Sequence, residues 1–151
     1  MRSLNWPRVI LGGLLAGVTI NTIEFVLNST LLKEAWIEVL ERPEDGAIMS
    51  GSEVAGFNVW GFAIGWLAIW LYASIRDRYG SGARTAVQAA LAVWLLSMLL
   101  VGLQPGAGTG LGGVSAATWL VAGWLGITLG TLLGAWQYRP RPHGSADGPS
   151  S

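Results

Sequence analysis

One carboxylate interrupts the first long apolar stretch of this 151-residue sequence. On a helix, Glu24 shares a face with Asn21 and Asn28, which lie three residues before it and four residues after it. A carboxylate at the centre of a bilayer costs on the order of 3 kcal/mol, and less near the surface, so Glu24 should face other helices. Two roles are open to it: binding of an ion or small molecule, or hydrogen bonds that fix the helix register.

Further polar side chains fall at a comparable depth in the other apolar stretches. Asn58 lies near the start of the second stretch, Ser97 in the later half of the third and Thr118 at the start of the fourth. Together with the first helix, these groups predict a polar pocket that opens at one membrane surface. The predicted ligand or ion site consists of Glu24, Asn21, Asn28, Asn58, Ser97 and Thr118.

The sequence lacks the residues that other kinds of chemistry require. Cysteine is absent, which removes thiolate nucleophiles and cysteine-bound metals. The single histidine, His143, lies in a tail rich in Pro, Gly and Ser, where it makes no metal site. The sequence has neither a Ser/His/Asp set nor paired carboxylates within its apolar stretches. We therefore expect no enzymatic activity, no catalytic residue, no metal and no cofactor, and the net charge of zero gives no reason to expect nucleic-acid binding.

Four apolar stretches separated by clusters of charge must position the polar groups. Each is roughly 19 to 22 residues long, enough at ~1.5 Å per residue to cross about 30 Å of hydrocarbon. Backbone amides in hydrocarbon must pair within their own segment, which favours helices. No A-x-A-like cleavage site follows the first stretch, so we expect it to remain as a span. The sequence predicts an all-α fold, an up-down four-helix transmembrane bundle in a membrane domain of residues 1–138, with spans at about 9–27, 54–75, 85–103 and 116–137.

The basic residues are divided unevenly between the two ends of these spans. Lys33 and Arg42 follow the first span, whereas the other seven fall on the opposite side. Those seven are Arg2, Arg8, Arg76, Arg78, Arg84, Arg139 and Arg141. Lys and Arg accumulate in cytoplasmic loops, so this division predicts a multi-pass protein of the cell inner or plasma membrane with both termini cytoplasmic. The polar pocket would then face outward.

The segments outside the spans differ in character. Residues 30–41 place Leu, Ala, Val and Trp on one half of a helix and three glutamates on the other, which predicts a short amphipathic helix in the outer interface. The Gly-rich segment 104–115 has no Gly-Lys-Ser/Thr sequence to bind phosphate, and we expect a hairpin there. We expect residues 139–151 to form a disordered cytoplasmic tail.

Glycines recur at four-residue spacing in three of the four spans. Helices in lipid associate closely where small residues let their backbones approach, so these glycines predict the helix contacts. The predicted packing residues are Gly13 and Gly17, Gly61 and Gly65, and Gly126, Gly130 and Gly134. The sequence does not decide whether each stripe packs within the bundle or against a second copy in a homodimer.

The order of elements resembles that of bacterial four-span integral membrane proteins of unknown function. The resemblance consists of a first span, an aromatic-bearing segment from Leu31 to Trp36, and three further spans. It implies the same four-span layout and no defined activity.

Two local strings resemble other four-span families. Glu24 followed by the Leu-Lys pair at 32–33 is similar to the Glu…Leu-Lys ending of the first span in small multidrug-resistance transporters, which implies a small transporter; the spacing here is one residue longer. The string Asn-Thr-Ile-Glu that begins at Asn21 is similar to the Asn-x-x-Glu of membrane-associated eicosanoid and glutathione enzymes. The arginines that precede that motif in those enzymes are missing, so the similarity implies no glutathione site.

The sequence therefore predicts an integral membrane protein whose activity it does not define, with an outward-facing polar pocket around Glu24. The alternatives are a small transporter of cations or small molecules, and a structural or accessory membrane subunit. The expected partners are the lipid bilayer and, through the glycine stripes, a second copy of the chain.

Overall fold

The structure of the chain, a computed structural model, describes residues 4–40, 50–102 and 113–138. These residues form helices without any strand: α1 Trp6–Thr30, α2 Lys33–Leu40, α3 Gly51–Tyr79, α4 Ala83–Gly102 and α5 Gly113–Gln137. The predicted all-α four-helix bundle is confirmed, with α2 as the short additional helix. The predicted tail, 139–151, and most of the predicted hairpin, 104–115, lie outside the described residues.

Helices α1, α3, α4 and α5 are each long and apolar enough to cross a membrane. Within their most apolar windows only 28% to 33% of residues are buried, so most residues there are at least partly exposed on the outside of the bundle. Phe25 is 72% exposed and Val59 is 69% exposed. An apolar surface of this extent is typical of a protein surrounded by hydrocarbon, and it indicates a multi-pass membrane protein.

The helices are longer than the predicted spans. Both α1 and α3 extend three or four residues beyond each end of the spans predicted at 9–27 and 54–75. The hydrocarbon thickness limits the apolar segment, but backbone hydrogen bonds continue through the polar interface. At the end of α1 the Leu31 amide still donates to the Leu27 carbonyl, at 2.9 Å, so α2 begins at Lys33, later than predicted.

The four long helices form a ring in which consecutive spans are neighbours. Helix α1 packs on α3 and α5, and α4 packs on the same two helices from the opposite side. Short connectors predict this antiparallel order. The end of the bundle that carries α2 is called the α2 end below, and the end with the connector between α3 and α4 is called the turn end.

Local sequence signals fix both ends of α3. At its start, Ser50 and Glu53 form a capping box: the Ser50 amide donates to the Glu53 carboxylate at 2.7 Å, and the Glu53 amide donates to Ser50 Oγ at 3.3 Å. At the turn end, Gly80 and Gly82 have φ values of 89° and 142°, which glycine adopts without strain. The Thr85 hydroxyl donates to the Gly80 carbonyl at 2.7 Å, which closes the turn. These signals place α4 against α3.

An aromatic cluster ties the last helix to the turn end. The rings of Tyr72 and Tyr138 meet edge to face, with centroids 6.2 Å apart. The guanidinium of Arg76 lies 5.1 Å from the Tyr138 centroid and donates to the Tyr138 carbonyl at 3.4 Å. Tyr138 also accepts a hydrogen bond from the Asn5 amide, at 3.3 Å. The amino-terminal residues, α3 and α5 are thereby fastened at one end, and this end has no part in the candidate site.

The predicted glycines lie at the two interfaces of α1. On the α3 side, a Cβ on Gly65 would lie 2.5 Å from the Gly17 amide nitrogen and 2.9 Å from the Gly13 carbonyl oxygen. Real Cβ atoms essentially never approach to 2.5 Å, so the two backbones are in direct contact. A Cβ on Gly61 would overlap the side chain of Asn21.

The α5 side of α1 is packed in the same way. A Cβ on Gly130 would lie 2.8 Å from the Ala16 carbonyl oxygen, and one on Gly134 would meet the carbonyl oxygen of Gly12. Gly126 is looser: its nearest neighbour across the interface is Ile23 Cγ2, at 3.5 Å. Helix α1 is therefore held on both sides by close backbone contact, and the contact with α5 loosens toward the α2 end.

Candidate functional site

Glu24 lies on α1 in the half of the bundle nearer the α2 end, and it is partly buried. Its side chain accepts a hydrogen bond at Oε2 from Asn28 Nδ2, at 3.1 Å. The same amide nitrogen donates to the Glu24 backbone carbonyl, at 2.7 Å. One oxygen of the carboxylate is therefore held by the next turn of its own helix.

Trp36 on α2 fixes the orientation of Asn28. Its indole Nε1 donates to Asn28 Oδ1, at 2.8 Å. An indole nitrogen can only donate, so the atom that faces it must be the amide oxygen, and the NH₂ group must face Glu24. A hydrogen-bonded chain thus runs from α2 through Asn28 to the carboxylate. The amphipathic helix predicted at 30–41 supplies its first member.

The second carboxylate oxygen points across the interface toward α5. Glu24 Oε1 lies 3.7 Å from the position a Cβ would take on Gly123, and 3.9 Å from the equivalent position on Gly126. Trp94 Nε1, from α4, also lies 3.7 Å from the Gly123 position. Three helices therefore meet at Gly123, where a carboxylate oxygen and an indole nitrogen face the same point.

The indole of Trp94 is held in place by packing. It meets the ring of Trp124 edge to face, with centroids 6.0 Å apart, and it packs against the apolar cluster that includes Val93 and Ile127. Its Nε1 is buried and has no hydrogen-bond partner among the described residues. A buried donor without a partner reduces stability by about 1–3 kcal/mol, so a hydrogen bond from this N–H to a ligand or a water would be favourable.

Asn21 and Asn58 belong to a different contact. Asn21 Nδ2 donates to the Asn58 backbone carbonyl, at 3.1 Å, across the interface between α1 and α3. The Asn58 side chain is exposed and donates to the Val54 carbonyl, at 2.8 Å. These contacts join α1 to α3, whereas the second oxygen of Glu24 faces α5.

The remaining two predicted residues lie on the other helices of the site. Ser97 is buried on α4, and its hydroxyl donates to the Val93 carbonyl at 2.8 Å. Thr118 on α5 lines an open apolar groove between α1 and α5. Of the six residues predicted for one pocket, the structure brings Glu24 into contact with Asn28, and Asn21 into contact with the Asn58 backbone.

Sequence reasoning missed Trp94 and Gly123 as members of the site. Two signals could have found them. Gly123 stands three residues before Gly126 and extends the glycine stripe of the fourth span, and Trp94 stands three residues before Ser97 on one helix face. The indole N–H makes Trp94 a hydrogen-bond donor within an apolar helix.

The groups beside Glu24 are hydrogen-bonding groups and not a cluster of metal ligands. Within the described residues, no group of three or more His, Cys, Asp or Glu is placed to hold a metal ion. The site offers one carboxylate, one amide and two indole N–H groups beside apolar helices. It can therefore hold a hydrogen-bonding group of a ligand and orient it.

No family model matches the chain, and neither a curated protein nor a solved structure matches it.

Proposed function

We propose that this chain is a multi-pass membrane protein that binds a small molecule at Glu24 and catalyses no reaction. The observation that carries this proposal is that the two oxygens of the Glu24 carboxylate have different surroundings. Oε2 is held by Asn28, whereas Oε1 faces Gly123 beside the buried N–H of Trp94, which has no partner in the described residues. A carboxylate held at one oxygen and an unused donor, both beside Gly123, supply the two kinds of hydrogen-bonding group that a small-molecule site uses.

The donors around Glu24 favour a small molecule over a metal cation. A hard cation takes several oxygen ligands, with carboxylates and carbonyls around it. Here Asn28 Nδ2 contacts the carboxylate, and Trp94 Nε1 lies beside the same glycine, Gly123, as Glu24 Oε1. Both nitrogens present N–H hydrogens, which repel a cation. A cation transporter of the kind suggested by the sequence resemblance is therefore the less favoured alternative.

A structural or accessory membrane subunit is the second candidate. The contact between Trp36 and Asn28 favours it, because this contact fastens α2 to α1 whether or not a ligand binds. In that role Glu24 would only complete the hydrogen bonding of Asn28.

We further propose that both termini are cytoplasmic and that the α2 end faces outward in the cell inner or plasma membrane. The seven basic residues on one side of the spans, against two on the other, support this orientation. Because the chain has no cysteine, any label on a single-cysteine variant of it marks the introduced residue. We expect a membrane-impermeant maleimide added to intact cells to label Asp45→Cys and to leave Ser145→Cys unlabelled until the cells are opened. The opposite pattern would overturn the orientation but not the bundle.

The binding role of Glu24 can be tested with Glu24→Gln. Glutamine keeps an oxygen that accepts from Asn28, so we expect the variant to fold and to unfold near the wild-type temperature. Thermal unfolding in detergent should be measured with potassium chloride, tetramethylammonium chloride and 1-decanol in turn. At 100 times its Kd a ligand stabilises by about 2.7 kcal/mol, so at least one compound should raise the wild-type unfolding temperature but not that of Glu24→Gln.

Glu34→Gln provides the matched control, since Glu34 is an exposed carboxylate on α2 and its loss changes the net charge by the same amount. This variant should respond to each compound as the wild type does. A Glu24→Gln protein that is stabilised as strongly as wild type by every active compound would refute the binding role. A lower unfolding temperature of Glu24→Gln, with no compound active on either protein, would favour the structural subunit.

A further inference from the structure

The two ends of the bundle carry opposite charge in the described part of the chain. The turn end has four arginines and one aspartate, a balance of +3: Arg8, Arg76, Arg78 and Arg84 against Asp77. The α2 end has one lysine and four glutamates, a balance of −3: Lys33 against Glu24, Glu34, Glu38 and Glu53. An excess of positive charge beside a bilayer attracts lipids with negative headgroups, so the turn end favours such lipids and the α2 end does not.

Arg76 stands where the apolar part of α3 ends. The residues from Val54 to Ile75 carry no charge, and Arg76 follows them directly. Lipid phosphates lie at this boundary between hydrocarbon and water. The Arg76 side chain is half-buried, whereas Arg78 and Arg84 are exposed. Among the arginines of α3 and α4, Arg76 therefore combines the depth of a lipid phosphate with a partly enclosed position.

Two tyrosines hold the guanidinium group of Arg76. Its Cζ lies 5.6 Å from the ring centroid of Tyr72 and 5.1 Å from that of Tyr138. Both rings are buried, and they meet edge to face. The rings fix the position of the guanidinium but carry no negative charge. A cation that is already held in place loses little conformational freedom when it binds an anion, which favours binding.

Most of the N–H groups of Arg76 remain for a ligand. A guanidinium has five N–H donors, and one of them donates from Nη1 to the Tyr138 carbonyl, at 3.4 Å. The contacts of Arg76 with other described residues are thus two rings and one carbonyl, and none of these groups is an acid. Arginine pairs with two oxygens of a phosphate at once. A phosphate at the membrane surface matches both the charge and the donors of Arg76.

We propose that the turn end binds an anionic phospholipid, whose phosphate pairs with the Arg76 guanidinium while the other arginines of this end supply a surrounding positive field. A lipid fits better than a soluble anion, because its acyl chains hold its phosphate at the depth where α3 leaves the hydrocarbon. The inference goes beyond the proposed function and does not depend on it, since Glu24 lies in the opposite half of the bundle.

Native mass spectrometry of the full chain in detergent, titrated with phosphatidylglycerol, measures the dissociation constant of the first bound lipid. Phosphatidylcholine with the same acyl chains is the matched lipid, since it has the same phosphodiester but also a cation that cancels the charge. We expect phosphatidylglycerol to bind at least about tenfold more tightly than phosphatidylcholine, because each arginine near the surface attracts a net negative lipid.

Two variants separate a site at Arg76 from a diffuse attraction. Arg76→Gln and Arg84→Gln remove the same charge from the same end. One positive charge near the surface changes the affinity for an anionic lipid by about fivefold, and Arg84→Gln should weaken phosphatidylglycerol by no more than this. Arg76→Gln also removes charge-assisted hydrogen bonds to the phosphate, so we expect it to weaken binding by about twentyfold or more.

A third variant, Arg76→Lys, keeps the charge beside the two rings but loses the fork of donors, so we expect it to bind about threefold to fivefold more weakly than wild type. It carries the test if Arg76→Gln does not fold. Equal affinity for the two lipids, equal weakening by Arg76→Gln and Arg84→Gln, or wild-type affinity in Arg76→Lys would each overturn the site. Glu24→Gln should bind phosphatidylglycerol as the wild type does, so failure at Arg76 and failure of the proposed function at Glu24 are distinguishable.

Discussion

Gly65→Ala is expected to destabilise the bundle by about 3 kcal/mol, at the upper end of the usual range for overpacking. The new Cβ would lie 2.5 Å from the Gly17 amide nitrogen and 2.9 Å from the Gly13 carbonyl oxygen. Both are backbone atoms of α1, so no side-chain rotation can relieve the overlap. Helices α1 and α3 must separate, and the contact that fixes the centre of the bundle is lost.

Equilibrium unfolding in mixed detergent micelles, followed by tryptophan fluorescence, measures this change. Gly56→Ala is the matched control on the same helix, since a Cβ there meets nothing within 4 Å. Alanine is favoured over glycine in a helix by about 1 kcal/mol, so the control should be neutral or slightly more stable than wild type. Equal stability of Gly65→Ala and Gly56→Ala would show that α1 and α3 are not in backbone contact.

The fold could be predicted from the sequence because a bilayer permits few kinds of backbone structure. Four apolar stretches of spanning length must become helices, and short connectors order them as neighbours. The predicted ends were less accurate. The count of apolar residues gives the length of the segment that lies in the hydrocarbon. The end of the helix itself depends on another signal, which for α3 is the turn at Gly80, where φ is positive. The capping box of Ser50 and Glu53 is a sequence signal for the start of α3 that the count of apolar residues does not include.

The candidate site could be predicted only in part. The spacing of Glu24 and Asn28 on one helix face gave their contact directly, because residues four apart on a helix are neighbours. The depth of a residue along its span does not give the rotation of its helix. Asn58 has the right depth, but its backbone carbonyl meets Asn21 of α1 and its side chain is exposed on α3. Trp94 belongs to the site because the rotation of α4 brings its indole to Gly123. The rotation of each helix about its axis depends on which of its small residues pack against a neighbouring helix. A single sequence does not show which small residues these are.

The sequence also does not show how tightly Gly126, Gly130 and Gly134 pack. Substitutions at these glycines are expected to have the second large effect on stability. By spacing alone the three glycines are equivalent, whereas the structure ranks them. A Cβ on Gly134 would meet the Gly12 carbonyl oxygen, and one on Gly130 would lie 2.8 Å from the Ala16 carbonyl oxygen. We expect Gly130→Ala and Gly134→Ala each to destabilise by roughly 2 kcal/mol, and Gly126→Ala, with 3.5 Å to its nearest neighbour, to be close to neutral.

The three variants should be unfolded under identical conditions, and their oligomeric state should be measured by analytical ultracentrifugation. If the stripe packs α5 on α1, stability falls in the two tight variants and the oligomeric state does not change. If the stripe instead joined two copies of the chain, all three substitutions would weaken association and leave the unfolding of the single chain unaltered. A gradient from neutral at Gly126 to costly at Gly134 would also show that α1 and α5 are loosest beside Glu24. That looseness is what a ligand group between these helices requires, since close backbone contact leaves no room for one.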